Sequence, residues 1–547
     1  MSALLPLAWP LLLLVAMIAP GRVRHLAERL APWSPLPLVL PLALGAAVEL
    51  PWVLLGTRLV VDATNQPLLL LTLIGWTLAG WAADVQVRER RTRFWVGWLI
   101  ALTGMLLLLL SGDLASFYLG YATVSLAAYL LVTHAATAEA SRAGRVYLVM
   151  ALAGEAAVLV GVLQLAGLYG NAAFTDLLAA PDALAASPAR WWLLAGFAVK
   201  LGILPLHVWL PLAHPVAPAP ASAILSGIIV KAGLAGWLRF VPPLPDDTRL
   251  LGEALLALGL VTAFAGVVLG LTQRRLKTVL AYSTISQMGL VLTGFALAFL
   301  VPGGREALVP VLGLLALHHG LNKASLFVAY GAAPGASRFR LALFALPALA
   351  LAAAPVTTGF VAKEALKPSL ALAELAPVLS VVLSLTSTAT ALLLWKAFGM
   401  ARRLDALDVP LHPAWPLLVV AAALVPWAYA LAAGLADVPT LPMLWAATWP
   451  LALAAVIAVL QRRLLRGPAL ELPEGDLVVL VERALRRVPV RRARPPRVSA
   501  PVAPRWSGVI DALTSAEARQ RHLPMVGRGL LLVGVALWAM LRVAGGG

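Results

Sequence analysis

Residues 197–240 read FAVKLGILPLHVWLPLAHPVAPAPASAILSGIIVKAGLAGWLRF. Lys200 and Lys231 sit in strongly apolar runs, and Pro205, Pro211, Pro215, Pro218 and Pro220 interrupt the chain between them. Proline removes a backbone donor and breaks a helix interior. An ammonium at mid-bilayer costs roughly 2.5–3.5 kcal/mol even on lenient insertion scales. Two such groups flanking a broken helix point to an ionic route rather than to packing.

The rest of the chain sets this stretch in a membrane. Of 547 residues, 61% are hydrophobic and only 12% charged, and the mean hydropathy is +0.90. The expected fold class is an all-α polytopic membrane protein with about sixteen transmembrane helices. The candidate spans are 3–19, 35–56, 66–84, 94–111, 113–133, 146–169, 190–210 and 221–240, then 250–272, 278–300, 308–330, 341–368, 376–398, 413–434, 440–460 and 526–543. The first is read as a true span, because no small-residue cleavage site follows it.

The net charge of +17 is unevenly placed. Arg22, Arg24 and Arg29, then Arg88, Arg90, Arg91 and Arg93, then Arg274 and Arg275, then Arg402 and Arg403 fall in odd-numbered connections. Even-numbered ones carry Asp176, Asp182, Asp246 and Asp247. By the positive-inside rule the odd connections face the cytoplasm. The expected site is the inner (cytoplasmic) membrane, with the N-terminus and C-terminus both outside. Residues 461–524 break the pattern as a cytoplasmic basic segment. Within it Asp476–Arg487 reads as an amphipathic helix and Arg491–Arg497 as an extended linker beside anionic lipid.

Arginine supplies the fringe, and lysine is used elsewhere. The seven lysines are Lys200, Lys231, Lys277, Lys323, Lys363, Lys367 and Lys396. Lys200, Lys231 and Lys323 fall well inside spans, and Lys363 follows a break within one. Lys277 and Lys396 lie near cytoplasmic ends, where snorkelling suffices to explain them. A guanidinium keeps its proton, whereas a buried ammonium can release one, so a row of lysines can pass protons. Glu155 lies mid-span in the sixth helix, with Lys200 on the next helix as its expected partner. His319 and Lys323 are four apart and share a helix face. The expected proton pathway is therefore Glu155, Lys200, Lys231, His319, Lys323 and Lys363. His207, His214, His318 and Glu364 are candidates for proton access or support. For His207 and His214, a satisfied histidine at a helix end stands as an equal reading.

The span at 341–368 is interrupted as well, at AAAPVTTGFVAKE, around Pro355 and Gly359. Broken spans seven and twelve are five apart and run in opposite directions. That is the pattern of two inverted five-helix repeats. The expected domains are 1–93 (spans 1–3), 94–240 (first repeat, spans 4–8), 250–400 (second repeat, spans 9–13), 401–460 (spans 14–15), 461–524 (the cytoplasmic segment) and 525–547 (the last span).

Four stretches carry a family resemblance: LPLHVWLPLAHPVAPAPASAILSGIIVKAG (204–233), LTQRRLKTVLAYSTISQMGLVLTG (271–294), LHHGLNKASLFVAYGA (317–332) and GFVAKEAL (359–366). The chain resembles the antiporter-like subunits of respiratory complex I, of Mrp-type sodium/proton antiporters and of membrane-bound hydrogenases, over roughly residues 94–400. The resemblance implies that Lys200, Lys231, the His319/Lys323 pair and Lys363 are the family's ion-pathway positions, with Lys363 the outward exit. One departure is plain. The family usually carries a glutamate in the fifth span, and GYATVSLAAYLL (120–131) puts Ala122 there. Glu155 is the available substitute.

The reading that follows is a proton-translocating subunit of a multisubunit ion-pumping complex, with other membrane subunits as partners and no nucleic acid. By itself it is not catalytic, although its complex can be an NADH–quinone oxidoreductase-like or hydrogenase assembly. No cofactor is expected, since there is no cysteine and no dinucleotide-binding fingerprint. Two alternatives stand: the ion-flux subunit of an inorganic-carbon uptake complex with a zinc partner, and a non-conducting structural paralogue, which Ala122 favours.

Overall fold

The computed structural model describes residues 2–479, except 180–183, 185–186, 242–248, 302, 374–375, 405–409, 465–470 and 476. Most of the expected 476–487 helix, the Arg491–Arg497 run and the span at 526–543 lie outside the described residues. Among the described residues, eleven helices are long and apolar enough to cross a membrane, and the fold is all-α apart from one small hairpin.

The chain opens with α1 (Leu5–Ala16) and the amphipathic α2 (Arg22–Leu30). Twelve residues give α1 a length of about 18 Å at 1.5 Å per residue. The expected second span, 35–56, does not form one helix. Pro35, Pro37 and Pro41 shorten it to turns and α3 (Val39–Leu44), which ends at Gly45 with φ +72°. An antiparallel hairpin follows, β1 (Ala47–Leu50) against β2 (Thr57–Val60), with Ala47 opposite Val60 and Leu50 opposite Thr57. Alternation in AVEL and TRLV, with Gly56 in the turn, outweighs raw hydropathy there.

Next come α4 (Gln66–Gln86), α5 (Arg91–Leu110), α6 (Leu114–Val132) and α7 (Ala138–Tyr169). The seventh span is broken as expected into α8 (Ala189–Leu201) and α9 (Trp209–Val216). Gly202, at φ +71°, ends α8, and Leu204–Pro205 is a cis peptide. Then follow α10 (Ala219–Phe240), α11 (Arg249–Leu271), α12 (Leu276–Leu297) and α13 (Gly304–Tyr330). The twelfth span is also broken, into α14 (Arg338–Leu351), α15 (Thr358–Glu364) and α16 (Lys367–Leu372). The described helices end with α17 (Ala376–Ala401), α18 (Ala414–Ala432) and α19 (Leu441–Leu464).

Hydropathy does not distinguish lipid-facing helices from enclosed ones, and the packing does. The apolar windows of α10, α12 and α13 are wholly enclosed by protein, whereas most of α19 and of α11 faces outward. The enclosed helices carry Lys231, Lys323, His318 and His319. Packing follows the same order twice along the chain. α5 lies on α6, α6 on α7, and α7 on α8; α11 lies on α12, α12 on α13, and α13 on α14.

Two glycine pairs set the crossings that matter. A Cβ on Gly196 of α8 would stand 2.7 Å from the Gly154 carbonyl oxygen of α7. A Cβ on Gly227 of α10 would stand 2.7 Å from the Gly320 carbonyl oxygen of α13. Only a residue without a side chain lets two backbones approach this closely. Glu155 and Lys200 flank the first crossing, and Lys231 and His319 flank the second.

Candidate functional site

The first cluster lies between α6, α7 and α8. Lys200, one residue before α8 ends, is buried, as is Glu155. The expected partners do not touch as a direct ion pair. The Lys200 ammonium donates to the Ser125 hydroxyl of α6 and lies 4.9 Å above the Tyr121 ring. The Glu155 carboxylate interacts with the same Ser125 hydroxyl, and its Oε1 has no hydrogen-bond partner.

The second cluster is central. α10 contains one π turn, Leu225–Ile229, immediately before Lys231. Such a turn leaves backbone carbonyls without their helical partners. Lys231 Nζ donates to one of them, Ser226 O, at 3.1 Å. It also lies 2.5 Å from His319 Nδ1 on α13. One turn on, Lys323 donates to Leu280 O at 2.8 Å and to the Ser283 hydroxyl, both on α12. His319 and Lys323 thus share a helix, as their spacing requires, but reach different neighbours.

His318 leads the other way. Its Nδ1 is 2.8 Å from the Thr358 hydroxyl, at the start of α15 just beyond the break, and Asn322 holds its backbone carbonyl at 2.7 Å. Five residues after Thr358, Lys363 Nζ donates to Leu383 O at 3.2 Å, Thr386 Oγ1 at 3.0 Å and Ser387 Oγ at 2.5 Å on α17. Beside it, Glu364 pairs with Lys367 at 2.6 Å. That pair lines a cavity of about 460 Å³ with Phe360, Asp437 and Met443.

The histidines of the first break are buried, and His214 stands close enough to Lys277 and Lys323 to feel their charges. The His207 ring lies 6.2 Å from that of Tyr282. His214 stacks on Phe327 at 4.7 Å, and neither of its ring nitrogens has a hydrogen-bond partner. Lys277 differs from the snorkelling reading. It is buried, and its ammonium donates to Ala217 O and, at 3.4 Å, to Pro215 O, carbonyls that the proline break leaves without helical partners. Lys396 donates to Leu271 O at 2.5 Å.

Sequence reasoning passed over the hydroxyls that meet each ammonium: Ser125, Ser283, Thr386 and Ser387. Serine in an apolar helix is common enough to carry no signal of its own. It also passed over the ion pair of buried Arg239 with half-buried Asp62 at 2.6 Å, which ties the end of α10 to the loop after β2. Among the described residues no cluster of three or more His, Cys, Asp or Glu is placed to hold a metal ion.

A family model described as NADH:quinone oxidoreductase/Mrp antiporter, transmembrane, matches residues 111–390, the stretch that contains both clusters. The chain belongs to this family. Hydrogenase-4 component B of Escherichia coli (strain K12) is 33% identical over 246 residues, covering 43% of this chain and 36% of that protein. NAD(P)H-quinone oxidoreductase chain 4 2 of Thermosynechococcus vestitus is 35% identical over 288 residues, covering 52% of each. The chain thus spans about half or less of the length of these relatives. Its fold is that of a chain in the Mrp complex from Dietzia sp. DQ12-45-1b, with a TM-score of 0.71 at 21% identity, covering 99% of this chain and 62% of that one. A chain of the membrane-bound sulfane sulfur reductase, an archaeal respiratory membrane complex, aligns with a TM-score of 0.66 at 19% identity, covering 84% of this chain and 99% of that one. The protein is therefore a multi-pass membrane protein with the complex I/Mrp antiporter-like fold.

Proposed function

We propose that the chain is a proton-translocating, antiporter-like subunit of a multisubunit membrane complex. The observation that carries this reading is the company its buried lysines keep. Among the described residues Lys231, Lys323 and Lys363 are each held by hydroxyls, backbone carbonyls or an imidazole, and none is paired with a carboxylate. A hydroxyl or imidazole accepts from an ammonium and, once reoriented, donates to the neutral amine. Such a site serves both protonation states, where a carboxylate would hold the proton in place. Lys367, which is half-exposed and bound to Glu364, is the contrast.

The route runs from Glu155 and Lys200 through Lys231, His319 and Lys323. It leaves by His318, Thr358 and Lys363 toward the cavity beside Glu364, with His207 and His214 on the access side. Spans 4–8 and 9–13 act as two inverted repeats, and the recurring packing order and the two broken spans support this. The odd connections face the cytoplasm, the N-terminus lies outside, and the basic segment 461–524 meets anionic lipid. Partner subunits supply the driving reaction. Purification of the tagged chain from its native membrane, with mass spectrometry of the companions and proton flux after reconstitution, tests the reading. A multisubunit assembly whose flux falls at least about tenfold in Lys323→Ala is expected; a chain that purifies alone and moves no protons contradicts it.

A further inference from the structure

We infer that Ser125 is the proton bridge between Lys200 and Glu155, so that the switch at this end of the route works through a hydroxyl instead of a direct lysine–carboxylate contact. The inference rests on the proton-route reading above. Ser125 lies on α6 three residues after Ala122, and hence on nearly the same face. It is fully buried. Its Oγ accepts from the Lys200 ammonium and donates to Tyr121 O at 2.8 Å, one turn back on its own helix. The same hydroxyl interacts with the Glu155 carboxylate, whose Oε1 is buried and unpartnered. A buried acceptor in that state costs about 1–3 kcal/mol. Rotation about the Ser125 Cβ–Oγ bond turns the serine hydrogen from Tyr121 O toward the Glu155 carboxylate.

The two fully buried tyrosines beside the cluster have their hydroxyl hydrogens committed. Tyr147 of α7 donates its hydroxyl to Ser125 O at 2.8 Å, and Tyr121 donates to Gly196 O at 3.3 Å. Tyr118 of α6 is the remaining titratable group facing Glu155. The cavity beside Lys200, lined by Tyr121, Tyr147 and Trp209, measures about 10 Å³, which is room for about one water at most. Ser125 is thus the hydroxyl that bonds the Lys200 ammonium and also interacts with the Glu155 carboxylate. The transfer balances. A Lys200 N–H bond breaks as a new Ser125 O–H bond forms, and the original Ser125 O–H bond breaks as a Glu155 O–H bond forms. Lysine ends neutral, the carboxyl protonated and the serine unchanged. The reverse step recharges both.

The test uses the complete complex in proteoliposomes, with proton flux measured across pH and the Glu155 carboxyl stretch followed by infrared difference spectroscopy, its band assigned with Glu155→Gln. Ser125→Ala is expected to lower flux at least about tenfold, to shift the pH profile and to move the Glu155 band, while Ser125→Thr keeps flux within about threefold. Ser125→Cys fills the same space with a weaker donor and acceptor and is the second probe, expected to fall below Ser125→Thr. Wild-type flux and an unmoved Glu155 band in Ser125→Ala and Ser125→Cys, with Lys200→Ala inactive, overturn the bridge and leave the route intact. Equal losses in Ser125→Ala and Ser125→Thr overturn it too, since they mean packing. A fully active Lys200→Ala removes the route and the bridge together.

Discussion

His319 Nδ1 stands 2.5 Å from Lys231 Nζ, where Gly227 and Gly320 bring the backbones of α10 and α13 into contact. The contact depends on that crossing. A Cβ at Gly227 would meet Gly320 O at 2.7 Å, so one helix must give way. Gly227→Val is expected to cost about 1–3 kcal/mol of stability and to separate the pair. Thermal unfolding of the purified complex and proton flux both check this, and flux falls further than the stability loss explains.

Lys231→Arg separates charge from proton exchange. Arginine keeps the positive charge but does not deprotonate, and its planar group does not fit one imidazole and one carbonyl. Flux is expected to fall at least about tenfold, close to the loss in Lys231→Ala. Flux near wild type in Lys231→Arg would mean that the site holds a fixed charge and passes no proton.

The link from His318 to Thr358 joins the enclosed helices to the second break. Thr358→Val removes the hydroxyl at nearly constant volume and leaves His318 Nδ1 with Asn322 alone. A stability loss of about 1–3 kcal/mol and a clear loss of flux are expected, with Thr358→Ser restoring most of both. Equal behaviour of the valine and serine variants would place the route elsewhere.

Ala122 lies three residues before Ser125 on α6 and so on nearly the same side of that helix. An acid restored at 122 is expected to recover part of the flux that Glu155→Gln loses. Flux of Ala122→Glu/Glu155→Gln against the single variant measures it, and no recovery would show that the acid must come from α7.

Ion pairs outside the route separate by burial. Arg239→Leu leaves the half-buried Asp62 without its partner, and about 1–3 kcal/mol of destabilisation is expected. Arg275, half-exposed and paired with Glu139 at 2.5 Å, is expected to cost no more than about 1 kcal/mol on replacement by alanine. Unfolding temperatures of the two variants give the comparison.

The chain's sequence showed the membrane architecture and the two breaks because hydrocarbon penalises every charge and every unpaired backbone group. Lys200, Lys231, Lys323 and Lys363 were conspicuous for that reason, and proline marked the interruptions. Hydropathy misled where burial was not its cause: 35–56 is apolar enough to span, yet three prolines and Gly45 divert it into turns and a hairpin. Lys277 near a helix end looked like a snorkelling residue, but the carbonyls at the proline break draw it inward. The hydroxyls around each lysine were not legible, because only the crossing of two helices decides which serine meets an ammonium. Glu155 and Lys200 stand on adjacent helices, α7 and α8, without a direct ion pair, and the hydroxyl of Ser125 that Lys200 bonds instead carries no sequence signal.

The most direct test is proton flux of the intact complex in proteoliposomes, wild type beside Lys200→Ala and Lys231→Ala, with subunit content matched before reconstitution. A conducting lysine axis predicts that each variant assembles at wild-type level and loses at least about tenfold of its flux. Flux at the wild-type rate in both assembled variants would contradict the account.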